Sequence, residues 1–336
     1  MHPSLSRRRF LRTGTAALLG AAGCAAGHAA RPAEPPAAPD AERVIDIHQH
    51  CNYGGKRNAQ GEPLTPGRTD AELLAHQRTM GITQTILLPA GTPVKRPSTH
   101  DGVSNGLLDT CAGVDACRAL AAAHPGEYYS AANEVPDLPG AVERIEAQLK
   151  AGAVAIAEQK FGVDCDAPEM QTLYRLAAAY QVPILMHWQF GRFNAGFDRF
   201  PAMLGRHPKT LFIGHAQTLW AHVGTEYQDD ARNLYPKGAV TPGGWTDRYL
   251  RDYPNFYADL SAGSGLNALT RDPDFTRAFL TRHQDKLIYG SDCSDRAGAG
   301  AACSGAQTLQ QIRTLAGTPE IRRKLLAGNA RRVFRI

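Results

Sequence analysis

From residue 43 to the C-terminus, short apolar runs alternate with helix-like stretches, and this rhythm constrains the fold more than any other feature of the sequence. The apolar runs span 44–48, 84–89, 128–135, 154–161, 182–188, 211–215, 256–261 and 286–292. Runs this short and this continuously apolar read as strands buried on both faces, as in a parallel sheet. Helix-like stretches fall at 69–80, 107–123, 139–150, 168–180, 197–206, 274–283, 309–315 and 319–327. The first carries clear punctuation, with Thr69 and first-turn acids at its start and Gly81 at its stop. The rhythm breaks at 216–254, where Gly238, Pro242, Gly243 and Gly244 predict a long loop with some helix. Eight strand–helix units in roughly 290 residues predict an α/β fold, a (β/α)8 barrel with an insertion after the sixth strand. A doubly wound open sheet would want a glycine-rich phosphate turn after an early strand, and none follows Ile47.

The N-terminus has a different character. Ser6-Arg7-Arg8-Arg9-Phe10-Leu11-Arg12 precedes a weakly apolar run from Thr13 to Gly23. A charged start, a short apolar stretch and a small-residue exit make a processing segment, and this one resembles a twin-arginine export signal. The apolar run is too short and too rich in Gly and Ala to span a bilayer. Cleavage after Ala29 and a lipid-bearing Cys24 after Ala21-Ala22-Gly23 both stand as exits. The chain therefore divides into an export signal (1–29), an Ala/Pro-rich tether (30–42) and a barrel (43–336). The expected destination lies across the bacterial inner membrane, in the periplasm or on a lipid anchor, reached through the twin-arginine machinery. Net charge is +5, with much of the excess in arginines at the two ends. No basic patch interleaved with aromatics lies between them, so no nucleic-acid partner is expected.

Four of the twelve histidines fall at the C-terminal ends of predicted strands: His48 and His50 on the first, His187 on the fifth, His215 on the sixth. Asp292 ends the eighth. In a parallel barrel every strand C-terminus opens onto one face. Residues two apart on a strand point the same way, so His48 and His50 can both face the axis. Imidazoles and a carboxylate converging there suit zinc or a similar divalent ion. Each element alone has a bland alternative. His187 can be a core histidine, and Asp292 a cap on the next helix. Those alternatives would have to coincide at four strand ends in order.

Taken together, Asp46-Ile47-His48-Gln49-His50, Met186-His187-Trp188, Ile213-Gly214-His215, Gly290-Ser291-Asp292 and the closing Gly328-Asn329-Ala330-Arg331-Arg332 resemble the amidohydrolase superfamily. They are most similar to its amidohydrolase-related branch, which holds hydrolases, lactonases and non-oxidative decarboxylases. The resemblance runs from about Val44 to Ile336. It implies that His48, His50, His187 and Asp292 bind metal, and that Asp292 also takes the proton of the attacking water. His215 is implied to be a catalytic group in one-metal members and a ligand to the second ion in two-metal members.

The fourth strand bears on that choice. By alternation Ile156, Glu158 and Lys160 share one face. Lys160 can be a carbamylated bridging ligand, Glu158 can bridge instead, or the two can form a buried ion pair beside a single ion. One ion with Lys160 as an ion-pair or substrate residue is the expectation taken forward. The chemistry expected is a metal-activated water attacking an amide, ester or lactone. The same site can instead protonate a substrate carbon and release carbon dioxide, and an exported binding protein that kept the fold is a third reading. Trp188, Gln189, Phe190 and Arg192 after the fifth strand, with Asn133 and Glu134 ending the third, are expected at the substrate mouth. Trp220, His222 and Trp245 are expected in a lid-like insertion. Ser291 lacks a GxSxG elbow and is set aside as a nucleophile.

Seven cysteines occur without a CxxC pair, which argues against a zinc knuckle. Export permits disulfides, with Cys111/Cys117 and Cys293/Cys303 the nearest in sequence, and free buried cysteines are the alternative.

Overall fold

Eight parallel strands follow one another around a barrel in the computed structural model, which describes residues 42–336 except 56–61, 63–65, 96–104, 109 and 231. The expected export signal, the Cys24 anchor site and the tether as far as residue 41 lie outside the described residues. The strands are β1 (Ile45–Gln49), β2 (Gln84–Leu87), β3 (Tyr128–Ser130), β4 (Ile156–Gln159), β5 (Pro183–His187), β6 (Leu211–His215), β7 (Phe256–Asp259) and β8 (Leu287–Ile288). Regular pairing runs through β1–β2–β3 and through β4–β5–β6–β7–β8. Two seams close the ring. At one, Ala157 N donates to Ala132 O at 2.7 Å; at the other, Ile47 N donates to Tyr289 O at 3.3 Å and Asp292 N to His48 O at 2.9 Å.

Alternating strand residues build two cores. Ile45, Ile47, Ile86, Leu88, Ala131, Ala157, Leu185, Ile213 and Ile288 fill the barrel interior. Their neighbours, among them Ile156, Ile184, Met186, Phe212 and Phe256, pack outward beneath the helices. Ile156 therefore does not share a face with Glu158, as simple alternation predicted. Both β4 and β1 carry a register shift, between Ile156 and Gln159 and between Asp46 and Gln49. A bulge of this kind re-aims the residues beyond it. It lets Ala157 and Glu158, and likewise Ile47 and His48, all face inward.

The helices are α1 (Asp70–Met80), α2 (Val114–Ala123), α3 (Ala141–Lys150), α4 (Pro168–Tyr180), α5 (Pro201–Arg206), α6 (Gln217–Ala221), α7 (Trp245–Asp252), α8 (Ala262–Thr270), α9 (Pro273–Arg282), α10 (Ser304–Leu315), α11 (Pro319–Arg323) and α12 (Asn329–Phe334). A π-helical turn, Lys324–Gly328, joins the last two. Thr69 caps α1 through a reciprocal capping box with Glu72, and Gly81 ends it in the left-handed conformation, as its sequence predicts. Three helix starts differ most from expectation. The described residues of 107–113 are not helical, α5 begins at Pro201 rather than 197, and α10 begins five residues before Leu309, with Cys303 as its N-cap. Helix α8 falls in a span the alternation left unassigned, because its Gly-Ser-Gly composition hides the helical period. Strand β8 is shorter than 286–292, since the chain beyond Ile288 bonds to Asp46 and His48 instead of continuing a regular ladder.

Candidate metal centre

The C-terminal ends of β1, β4, β5, β6 and β8 bring six titratable groups together. His48 and His50 come from β1, Glu158 from β4, His187 from β5, His215 from β6 and Asp292 from the segment after β8. Glu158 lies at the middle. Its Oε1 is 2.5 Å from His187 Nδ1 and 3.7 Å from His215 Nε2. Its Oε2 is 3.4 Å from His50 Nε2 and 3.7 Å from His48 Nε2. Asp292 stands opposite, with Oδ1 3.7 Å from His48 Nε2 and 3.6 Å from His50 Nε2, and Oδ2 3.6 Å from His215 Nε2. The histidines and Glu158 are buried, whereas the Asp292 side chain keeps 16% of its surface exposed. Asp292 is thus the member of the set that meets incoming solvent.

The outer partners fix which ring nitrogen faces inward. Asp259 Oδ2, at the end of β7, accepts from His48 Nδ1 at 2.7 Å and lies 3.1 Å from His215 Nδ1. Ser261 donates to the same oxygen at 2.7 Å. Leu88 O accepts from His50 Nδ1 at 2.7 Å. His48, His50 and His215 therefore each present Nε2 to the centre, the arrangement in which second partners orient metal-binding imidazoles. Gly290 makes room for this, because a Cβ there would lie 2.4 Å from Asp259 Oδ1. Asp292 has φ +41°, in the left-handed region that a β-carbon disfavours. Its N–H bond to His48 O and the Tyr53 hydroxyl, which donates to Oδ1 at 3.4 Å, hold it there.

Burial pushes the His48 imidazole down, but Asp292, Asp259 and Glu158 outweigh it and lift its pKa to about 10. Burial likewise opposes charge on His50, and Cys111 and Glu158 overcome it. His187 goes the other way, to about 4, through burial and the Lys160 ammonium. Glu158 is held well below the usual carboxylate range despite its burial, by Lys160 and the surrounding imidazoles. Charge is thus favoured on the two β1 imidazoles and disfavoured on His187. Two buried atoms there, His48 Nε2 and Glu158 Oε2, have no hydrogen-bond partner. Orphaned buried polar atoms are costly, and two lone-pair acceptors aimed at one point fit a cation between them. The candidate ligand groups His48–His50–Glu158 and Glu158–His187–His215 each keep their donor atoms within 4.8 Å of one another.

Several sequence expectations change here. Trp188 is fully buried between Phe197 and Phe200, so it packs the helix layer behind β5 and does not line a mouth. Asn133 is buried and spends its amide on Pro89 O at 2.8 Å and Gln159 Nε2 at 2.9 Å, tying strand ends together. Glu134 is also buried, bonded to Thr92 and Arg144. Trp220 is a core residue whose indole N–H donates to Asp259 O at 3.0 Å, and His222 stacks on Trp245. Arg192 and Phe190 are exposed in the turn after β5. Lys160 Nζ lies 3.7 Å from Glu158 Oε1 with 23% of its side chain exposed. Sequence reasoning missed Asp259, Ser261 and Tyr53. Asp259 had a signal, since it ends the seventh strand as His215 ends the sixth.

Comparison with known proteins agrees with this architecture. None of the curated proteins matches the sequence. Among solved structures, a 5-carboxyvanillate decarboxylase from Sphingomonas paucimobilis superposes with TM-score 0.55 at 14% identity, covering 88% of this chain and 99% of that one. An amidohydrolase from Burkholderia multivorans gives TM-score 0.54 at 15% identity, with 88% and 99% covered. A 2,6-dihydroxybenzoate decarboxylase from Rhizobium gives 0.51 at 12% identity, again with 88% and 99% covered. At such identities these likenesses establish the barrel fold. The family model for amidohydrolases matches residues 45–336, the whole barrel. The chain belongs to the amidohydrolase family and is an enzyme of that superfamily.

Proposed function

We propose that this enzyme is a metal-dependent hydrolase that splits an amide, ester or lactone bond, with Asp292 as proton acceptor. The observation that carries this reading is the placement of Asp292. It combines contact with three inward-facing ring nitrogens and exposure on the side from which water and substrate arrive. These residues would hold a divalent cation, Zn2+ or a similar ion, which when bound would lower the pKa of water toward ~7 and polarise a substrate oxygen. Asp292 takes the proton and Tyr53 steadies its carboxylate. Asp259 holds His48 and His215 in their inward tautomers.

Donor groups on both sides of Glu158 would hold two cations rather than the single ion expected from the sequence. One Glu158 oxygen faces His48 and His50; the other faces His187 and His215. Lys160 then keeps its ion-pair role and needs no carbamylation. Metal analysis of the purified protein tests this. Two equivalents are expected in the wild type at the barrel centre, falling to one or none in Glu158→Gln and unchanged in Lys160→Ala. Protein that binds no metal on titration would sink the hydrolase reading.

Decarboxylation is the second reading. It is favoured by the partly exposed Lys160 ammonium, a natural partner for a substrate carboxylate, and by the decarboxylases among the similar structures. Release of carbon dioxide without consumption of water separates the two. We also propose that the chain is exported on its Arg7-Arg8 signal and works in the periplasm or on a lipid anchor.

A further inference from the structure

A second cluster lies on the outer side of β1, between α1 and the start of α10, and belongs to neither reaction. His76 on α1, Cys293 and Asp295 after β8, and Cys303 at the N-cap of α10 bring their donor atoms within 4.8 Å of one another. We propose that these four side chains form a closed structural site for Zn2+ or a similar borderline-soft divalent cation.

Distances carry the proposal first. Cys293 Sγ and Cys303 Sγ are 3.6 Å apart. His76 Nε2 is 3.4 Å from the first sulfur, 3.6 Å from the second and 3.1 Å from Asp295 Oδ2. Tetrahedral zinc with ordinary bond lengths requires edges of about 3.8 Å between sulfurs, about 3.6 Å from sulfur to nitrogen and about 3.3 Å from nitrogen to oxygen. The four measured edges match these within a few tenths of an ångström. A disulfide would require a sulfur separation of about 2.05 Å.

The outer contacts carry it further. Gln77 donates its amide N–H groups to Asp46 and Thr85 at 2.9 and 2.8 Å, which fixes its Oε1 as an acceptor. That oxygen lies 3.1 Å from His76 Nδ1, so Nδ1 carries the proton. With Nδ1 so engaged, Nε2 faces a carboxylate and two sulfurs, a donor set that a borderline-soft cation takes. Asp295 Oδ1 is engaged by Ala297 N and Gly298 N at 2.9 and 2.8 Å, leaving Oδ2 for the centre. Cys303 Sγ accepts from Ala306 N at 3.3 Å, where the N-terminus of a twelve-residue helix favours thiolate. His76 and Cys303 are fully buried, Cys293 is 4% exposed and the Asp295 side chain 10%. Four protein ligands in a closed pocket describe a structural site, without the open position that catalysis needs.

Cobalt titration of the full chain, reduced and stripped of metal with a chelator, tests the assignment. Two thiolates on Co2+ give strong sulfur-to-cobalt absorption in the near ultraviolet, which imidazoles and carboxylates do not. We expect the band to reach the intensity of one bis-thiolate cobalt per chain in the wild type once every site is filled. It should persist in His48→Ala/His50→Ala, and also in Cys111→Ala, which removes the thiol beside His50. It should vanish in Cys303→Ala. No band in reduced wild type, or a band that survives Cys303→Ala, overturns the site. Asp295→Asn keeps both thiols and guards against a misfolded cysteine variant. It should keep the band and bind cobalt at least tenfold more weakly, whereas an unchanged titration overturns the four-ligand assignment. Failure here leaves the barrel centre untouched, because the two sets share no ligand.

Discussion

The barrel centre and the sulfur cluster meet along one stretch of backbone and differ in almost everything else. Asp292 and Cys293 are adjacent, yet one faces the barrel mouth and the other the back of β1. Gln49 sits between His48 and His50 and points the opposite way, donating to Ser291 Oγ at 2.7 Å and to Cys293 O at 3.2 Å. The centre is built of nitrogen and oxygen donors and keeps a partly exposed carboxylate. The cluster is built of two sulfurs, one nitrogen and one oxygen, and is closed. Gln49 leaves the face opposite to His48 and His50 by alternation, and the left-handed turn at Asp292 sends Cys293 to the other side. The open set can do chemistry; the closed set can only hold the loop that carries Asp292.

The largest expected effect falls on the open side alone. Asp292→Asn keeps the shape and removes the proton acceptor, so kcat should drop by about 10²–10⁴-fold. The near-ultraviolet cobalt band of the sulfur cluster should stay as it is. A variant that retains most of its activity removes Asp292 from the chemistry, and the contrast drawn above goes with it.

A smaller effect separates ligands from their supports. Asp259 meets His48 and His215 at their Nδ1 atoms, away from the Nε2 atoms that face the centre. Burial opposes its charge, yet the two imidazoles keep its carboxyl well below the usual carboxylate range. Asp259→Asn should weaken metal affinity at the barrel centre by about 10–100-fold. Binding at the sulfur cluster should not change. Equal weakening at both would mean that the substitution loosens the whole barrel end.

How legible each site was in the sequence follows from the same contrast. The barrel and its His48, His50, His187, His215 and Asp292 set could be read because strand ends recur at regular intervals and open onto one face. The place of Glu158 was only half legible. The bulge in β4 that turns it inward leaves no compositional mark, and alternation wrongly grouped it with Ile156. Trp188 and Asn133 were misjudged because position after a strand end does not say which way a side chain turns. The sulfur cluster was hidden altogether. Its cysteines are ten residues apart, its histidine lies on a helix more than 200 residues away, and the lack of a CxxC pair argued against zinc. Only the fold brings those residues together, around a turn sealed by Gly298 at φ +66°, where a Cβ would lie 2.5 Å from His76 O.

The smallest effect tests whether the two sites are independent. Gln49 accepts from the buried Arg68 guanidinium, which also donates to Cys293 O at 2.8 Å and Asp295 O at 3.2 Å. Gln49→Leu strips the Gln49 bonds to Arg68, Ser291 and Cys293 while leaving every proposed ligand in place, and should cost about 1–3 kcal/mol of stability. A cycle with Cys303→Ala then measures coupling through denaturant unfolding. If the sulfur cluster braces the Asp292 loop through Gln49 and Arg68, the pair should interact by about 0.5–3 kcal/mol, the range for residues in one bonded network. Additivity within about 0.5 kcal/mol would show two separate devices that happen to share a strand. Kinetics sharpen the same question. A shared loop predicts that Cys303→Ala lowers kcat with little change in KM, because Asp292 shifts while substrate contacts remain. Independent sites predict a less stable enzyme with unchanged kcat.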